Sequence, residues 1–385
     1  MLHRHITHWL ETRWITPAYS GWLMTGLALF FFGAATNTMA GWLYVMSGVM
    51  LALLAIAAVL TERSLRQIQI SRPPILPVSV GEPLAVELAI ANRSNQPKPL
   101  FQVYDLLPPG LTQPAPQSID VIPAQGVYNW RYSQPTQRRG VYRWQTVQLR
   151  TGAPLGLFWC RRQQTVKAIA IVYPTVLPLT QCPIIDDLGK DNNYRVQHDY
   201  RATAATEGLT RTVRPYRWGD STRLIHWRSS ARYGELRVRE LENYTGGQEL
   251  VVCLDSAIAW YAEAFEQAVT AAASLYFYAV QRGLQVCLWT AGSGLVRGDR
   301  AVLETLAAIQ AQEEPTADDL PNLPLLWLTP NLNSVGTLPH GSRWLLWSAP
   351  TPPFRSSPPA DPLHPGLMIQ PNESLQLQLQ AHPTG

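Results

Sequence analysis

The chain has 385 residues, of which 46% are hydrophobic and 15% charged, a composition that excludes global disorder and leaves room for two soluble domains plus something smaller. Its formal net charge of +4 excludes whole-molecule attraction to nucleic acid, so contact of that kind would need a local basic patch. The cysteines, Cys160, Cys182, Cys253 and Cys287, show neither CxxC nor the cysteine–histidine spacing of a zinc site, and reduced core thiols are expected.

The first 18 residues read as a cytoplasmic N-terminus. No charged residue then occurs between Ile15 and Thr61, a run too long for one helix and suited to two membrane crossings of roughly 20 residues each. Residues 19–61 are therefore predicted as a transmembrane helical hairpin, with arms Gly21 to Ala35 and Gly41 to Leu60 and a polar turn at Thr36-Asn37-Thr38. Arg4 and Arg13 precede the run, Arg63, Arg66 and Arg72 follow it, and the turn has no basic residue. By the positive-inside rule both ends face the cytoplasm, which places the protein in the inner (cytoplasmic) membrane with its soluble domains on the cytoplasmic side.

Residues 72–178 break into short stretches of alternating apolar and polar residues separated by proline, glycine and asparagine turns, the pattern of an immunoglobulin-like β-sandwich. Residues 179–247 form a connection and an arginine-dense segment. Within the connection, read as a loop or short helix outside the core, Asp186, Asp187 and Asp191 lack the order of a calcium loop and are expected as solvated surface. From 248 to 349 the pattern turns to ELVVCLDSA, a helical run closed by Gly283, LQVCLWTAG, a second helix over Ala301 to Gln312, and two further apolar strands. Strand, helix, strand is the unit of a parallel sheet. Residues 350–385, with the proline-rich TPPFRSSPPADPLHPG and the segment LQLQLQ, read as a loose tail holding one late strand. The fold class is thus α/β and all-β, multidomain.

The most informative segment is Val213 to Arg239, VRPYRWGDSTRLIHWRSSARYGELRVR. Arginine keeps its charge and presents five fixed donors, so such a cluster either pairs internally or awaits an anionic partner. Three readings stay open. In a structural lattice, Asp220 accepts from Arg223 or Arg214, Glu235, Glu240 and Glu242 face Arg228, Arg237 and Arg239, and Trp218 and Trp227 stack on guanidinium groups. In a docking surface, part of the cluster meets an acidic protein. In a nucleic-acid site, Tyr216, Trp218, Trp227 and Tyr233 stack on bases. The matched density of acids favours the lattice for most residues, and no nucleic acid is expected as partner.

This segment resembles the signature of the DUF58 family, and Arg138-Arg139-Gly140-Val141-Tyr142, Gly152-Ala153-Pro154-Leu155-Gly156-Leu157-Phe158 and Val172-Tyr173-Pro174 are similar to family sequence upstream of it. The family's usual aspartate before that proline is Ala153 here, and the turn is expected to bury Leu157 and Phe158. The resemblance implies a truncated von Willebrand factor A-like domain after the signature, and a MoxR-type AAA+ ATPase as partner in assembling or maturing other proteins. The signature and partner-binding candidates are Arg214, Tyr216, Gly219, Asp220, Arg223, His226, Trp227, Ala231 and Arg232. Von Willebrand A domains hold magnesium on an Asp-x-Ser-x-Ser motif, but here Asp255-Ser256-Ala257-Ile258-Ala259 has alanine at both serine positions. No metal and no cofactor are therefore expected, and Asp255 is predicted to cap a helix or loop. The chain has no GxxxxGK[ST] and no GxSxG elbow. It reads as a non-enzymatic, membrane-anchored adaptor or scaffold. The alternative is a membrane-associated hydrolase using His226 with Ser221, Ser229 or Ser230 and Asp220 as orienting carboxylate.

Overall fold

The computed structural model describes residues 15–187, 204–216, 225–242, 249–316, 323–339, 341–347, 365–371 and 373–382. The chain divides into two compact units, Met1–Pro174 and Thr175–Gly385.

The first unit begins with β1 (Thr16–Pro17), α1 (Tyr19–Thr38) and α2 (Gly41–Ser64). The residues expected to form the polar turn belong to the helix. Thr36 and Thr38 donate their hydroxyls back to Gly33 O and Ala34 O at 2.7 and 2.8 Å, which satisfies them within α1 and moves the reversal to Met39 and Ala40. Gly21, Ala28 and Ala35, seven residues apart, are the buried residues of α1, and Ser47 of α2 donates to Ala28 O at 2.9 Å. Small residues at this spacing let two helix backbones approach closely. The outward faces expose Leu29, Phe30, Val45 and Ile56. Among the described residues one helix, Gly41–Ser64, is long and apolar enough to cross a membrane by length and composition, with a mean hydropathy of 2.5.

The rest of this unit is strand: β2 (Ile68–Ser71), β3 (Val78–Ser79), β4 (Pro83–Asn92), β5 (Lys98–Leu106), β6 (Gln117–Ile122), β7 (Val127–Pro135), β8 (Gly140–Thr151) and β9 (Phe158–Tyr173). One sheet has the order β2-β4-β7 and the other β1-β9-β8-β5-β6, with β3 parallel to β9. The alternation seen in the sequence is the alternation of burial. In β4, Leu84, Val86, Leu88 and Ile90 point inward, and Leu88 and Ile90 share a core with Val103, Val147 and Leu149 of the second sheet. This is a β-sandwich, and each such side chain removed from water stabilises it by about 1.5–3 kcal/mol.

A polar cluster lies inside the sandwich. The Arg72 and Asp105 side chains form an ion pair and are 1% and 0% exposed. Tyr132 donates its hydroxyl to Asp105 Oδ2 at 2.6 Å, Trp144 donates Nε1–H to Oδ1 at 3.0 Å, and the guanidinium lies 4.9 Å from the Trp144 ring centroid. Burial, with Asp105 beside it, pushes the Tyr132 hydroxyl far above its ordinary value.

The second unit holds β10 (Ala204–Pro215), α3 (Trp227–Tyr233) and β11 (Arg237–Glu242), followed by β12 (Glu249–Leu254), α4 (Ala262–Gln281), β13 (Gln285–Thr290), β14 (Gly294–Val296) and α5 (Asp299–Ala308). It closes with β15 (Leu325–Thr329), β16 (Arg343–Trp347), β17 (Gly366–Ile369) and α6 (Leu375–Gln380). The six-stranded sheet runs β14-β13-β12-β15-β16-β17, all pairs parallel except the antiparallel edge strand β14. Helix α4 lays Ala268, Ala272, Leu275 and Ala279 into a core shared with Val252, Leu254 and Leu288. All four cysteines are free and buried.

The late strand expected in residues 350–385 is Gly366–Ile369, which adds to β16 as the last parallel strand, but the end of the tail is not loose, because LQLQLQ is the helix α6. Gln378 is buried, with Oε1 accepting from Gln370 N at 2.8 Å and Nε2 donating to Gln370 O at 2.9 Å, so the segment is pinned by its polar residues as well as by buried Leu379. Nor is the Asp186 stretch outside the core. Residues 183–187 form a helical turn whose Ile184 and Ile185 are 2% and 1% exposed. Asp186 accepts from Tyr278 OH at 2.9 Å and pairs with Arg282 at 3.5 Å, which ties the turn to α4.

Candidate functional site

The arginine-dense segment is built as a ribbon carrying a helix. β10 and β11 pair antiparallel, with Arg214 opposite Val238 and Pro215 opposite Arg237, and α3 lies between them in sequence. His226 stands at the start of α3 and acts as its cap: Ser229 N–H donates to His226 Nδ1 at 3.2 Å, and Ser229 Oγ lies 2.7 Å from the same nitrogen. The imidazole thus does for this helix what serine or aspartate usually does. Ser230 joins the helix to the ribbon, donating to His226 O at 3.1 Å and accepting from Arg237 N at 2.9 Å. Gly234 ends the helix at φ 70°, a left-handed position that glycine takes without a Cβ penalty.

Ile225, Ser230 and Val238 are buried, while most of the other side chains of α3 and the turn after it face outward. Trp227 is 68% exposed, Tyr233 58% and Leu236 46%, and Arg228, Ala231 and Arg232 are also exposed. The expected lattice is present only in part. Arg237 pairs with Glu235 at 2.8 Å and stacks 4.0 Å from the Tyr233 ring centroid, so the aromatic under the guanidinium is Tyr233 in place of Trp227, and the pair lies at the surface. Arg214 and Tyr216 are half-buried, with Tyr216 N–H donating to Leu236 O at 2.8 Å. Trp218, Gly219, Asp220, Ser221 and Arg223 lie outside the described residues, as do the side chains of Arg239, Glu240 and Glu242.

The second candidate position is the end of β12. Strand order reverses there, with β13 on one side and β15 on the other, and the carboxyl ends at such a switch point are where open α/β sheets receive ligands. Asp255 is buried at this point and caps nothing. Its Oδ2 accepts from Thr329 Oγ1 of β15 at 2.9 Å, and burial raises its pKa above the ordinary carboxylate value despite that bond. Ser256 turns the opposite way, its Oγ accepting from Ala291 N after β13 at 3.1 Å. The phase difference read from the sequence is therefore realised as bonds to opposite neighbouring strands. A cleft of about 320 Å³ beside this end is lined by Ile258, Tyr261, Asn331 and Trp347. Among the described residues no group of three or more histidine, cysteine, aspartate or glutamate side chains is placed to hold a metal.

Sequence reasoning missed Glu313. Its N–H donates to Ser256 O at 3.1 Å, and its Oε2 is buried next to Gly292 without a hydrogen-bond partner among the described residues. No spacing announces it, because the chain reaches Ser256 from 57 positions later only through the fold. The turn Pro154 to Phe158 was also misassigned. Leu157 and Phe158 are only half-buried, and the turn's backbone serves as the seat of α1: Ala18 N–H donates to Leu157 O at 2.8 Å and Ser20 Oγ to Gly156 O at 2.9 Å. A Cβ on Gly21 would stand 2.2 Å from Leu157 O, so no other residue fits.

Residues 212–323 match the family described as "Protein of unknown function DUF58". No curated protein matches the chain. Similar solved structures include the CARDB domain of PF1109 from Pyrococcus furiosus, at 11% identity and a TM-score of 0.19, covering 26% of this chain and 94% of that one. The PapD-like domain 7 of human CEP192 is similar at 12% identity and a TM-score of 0.20, covering 28% of this chain and 84% of that one. A protein of unknown function from Porphyromonas gingivalis W83 is similar at 17% identity and a TM-score of 0.21, covering 30% and 52%.

Proposed function

We propose that this chain, which carries a DUF58 segment over residues 212–323, is a non-enzymatic, membrane-anchored adaptor that docks a MoxR-type AAA+ ATPase through helix α3. The helices α1 and α2 form a hairpin in the inner membrane, and both units lie on its cytoplasmic side. The parallel-sheet unit is a von Willebrand A-like domain. Its strand order, three-two-one-four-five-six in order of appearance with an antiparallel third strand, supports that reading. It works without magnesium, since Asp255 faces a threonine and both serine positions of the metal motif are alanine.

The observation that carries the adaptor reading is the exposure of Trp227, at 68%, at the start of a helix fixed at both ends that also exposes Arg228 and Arg232. An exposed tryptophan sharing a short helix with two exposed arginines has the composition of an interface hot spot, and the positive charge selects an acidic partner surface. The hydrolase alternative rests on the 2.7 Å approach of Ser229 Oγ to His226 Nδ1. That nitrogen already accepts the Ser229 backbone N–H, so the contact is the geometry of a cap, with nucleophile and base locked in one helical turn. The test is co-purification from membranes in the presence of ATP. The intact chain should recover an AAA+ ATPase, and Trp227→Ala combined with Arg232→Glu should lower recovery at least tenfold. Failure of the intact chain to recover any such ATPase refutes the adaptor reading, and ester or amide turnover lost in His226→Ala would favour the hydrolase.

A further inference from the structure

One edge of the sandwich stops early. β2 pairs with β4 only where Ile68–Ser71 meets Ala89–Asn92. From Pro83 to Leu88, β4 has β7 on one side and, among the described residues, no strand on the other. Alternation in an antiparallel ladder tells where the backbone groups of this stretch point. Asn92 N–H donates to Gly126 O on the β7 side at 2.9 Å, and Arg93 N–H donates to Gln67 O on the β2 side at 2.9 Å. Stepping back in twos from Arg93, Ala85 and Glu87 direct N–H and C=O away from β7, past the point where β2 has ended.

The chain leaves β4 for a physical reason. The Arg72 side chain turns into the interior to meet Asp105, and Pro73, Pro74 and Pro77 bring no N–H with which to extend the ladder. Residues 73–77 instead form the opposite wall of a groove of about 750 Å³, facing Ala85, Glu87 and Tyr132. Leu76 on that wall is 79% exposed. An unpaired edge presenting backbone donors and acceptors is a template for an added strand.

We propose that this groove takes an extended segment of a partner protein, added beside β4 so that its backbone exchanges hydrogen bonds with Ala85 and Glu87. Unmet backbone donors and acceptors on alternate residues are matched in register by an added strand. The facing wall of residues 73–77 leaves this place to a single strand, which disfavours the sheet edge of a second copy. Charge specifies the segment further. Arg131 and Glu87 at the rim pair with each other at 3.1 Å and cancel, so the segment is uncharged at its centre, with alternate apolar side chains set against Leu76. This groove lies in the other unit from α3, and the inference stands or falls independently of the adaptor reading.

The test uses the full chain in detergent micelles and a displayed library of random decapeptides. Enriched peptides should show alternating apolar residues. N-methylation of the peptide amides that face β4 should weaken binding at least tenfold, while methylation of the intervening amides should leave it within twofold. Amide exchange at Ala85 and Glu87 should slow at least tenfold in the complex, and Glu87→Pro should lower affinity at least tenfold. No enriched peptide, binding indifferent to the methylation register, or protection confined to other residues would each overturn the proposal. Because the methylation series alters only the peptide, it decides the matter even where Glu87→Pro does not fold.

Discussion

Each unit buries a carboxylate, and the two are held in opposite ways. In the sandwich, Asp105 receives an arginine, a tyrosine and a tryptophan, each from a different stretch of chain. In the parallel-sheet unit, Asp255 receives one threonine hydroxyl and no cation among the described residues. A buried charge beside its counter-charge is structural, because removing one partner leaves the other stranded, and Arg72 is committed to Asp105 although its Nε and Nη1 have no hydrogen-bond partner among the described residues. A buried carboxylate with one neutral donor raises its own pKa and is held at a cost. The sandwich has therefore used its buried charge to fix a chain path, while the sheet keeps an ionisable group at the strand ends where ligands enter α/β folds.

The largest effect is expected from Asp105→Ala, which strands Arg72 in the interior and should cost about 3–5 kcal/mol, measured by denaturant unfolding of the full chain with hydrogen exchange read in Ile68–Tyr173. Replacing both partners, Arg72→Met with Asp105→Leu, should recover only part of that loss, since Tyr132 and Trp144 then keep donors without their acceptor. A double variant as unstable as the single one would mean that the pair does more than neutralise itself. Gly366→Ala should destabilise the sheet by about 1–3 kcal/mol, since its Cβ would stand 2.1 Å from the Trp344 ring on the neighbouring strand. Protection of β17 against exchange is the readout.

Asp255→Asn tests the other half of the contrast. Because the folded pKa of Asp255 is raised, its contribution to stability is complete below the unfolded value of 3.8 and is lost as pH rises through the folded value. Urea midpoints of the second unit followed upward from pH 3.5 should fall more steeply for the wild-type chain than for Asp255→Asn, and equal slopes would show that the carboxyl is not strained. The smallest effect on stability is expected from Trp227→Ala, within about 0.5 kcal/mol, since the ring is 68% exposed. A larger loss would show that the ring packs inside the fold.

The elements that were legible are those whose own sequence carries the physics. The uncharged run from Ile15 to Thr61, the alternation of PLAVELAIAN and the β12-α4-β13 unit each announce themselves by period or length. LQLQLQ did not announce its helix, because a period of two over six residues carries no helical signature, and its capture by Gln370 and Glu373 is a tertiary event. Asp186 was unreadable for the same reason, its partners Tyr278 and Arg282 lying 92 and 96 positions away. In the candidate site, the aromatic and arginine content of α3 was legible and its outward orientation was not, because a matched number of acids does not say which guanidinium they reach.

The seat of the first helix has a mechanical consequence. Ala18, Ser20 and Gly21 bear on Gly156 and Leu157 at the entry to α1, and Lys98 Nζ donates to Arg63 O near the exit of α2 at 3.2 Å. Both ends of the helix pair therefore bear on the sandwich, which opposes a swivel of the pair on its own axis. Any tilt imposed on the helices swings the sandwich with them as one lever, and with it the open edge of β4.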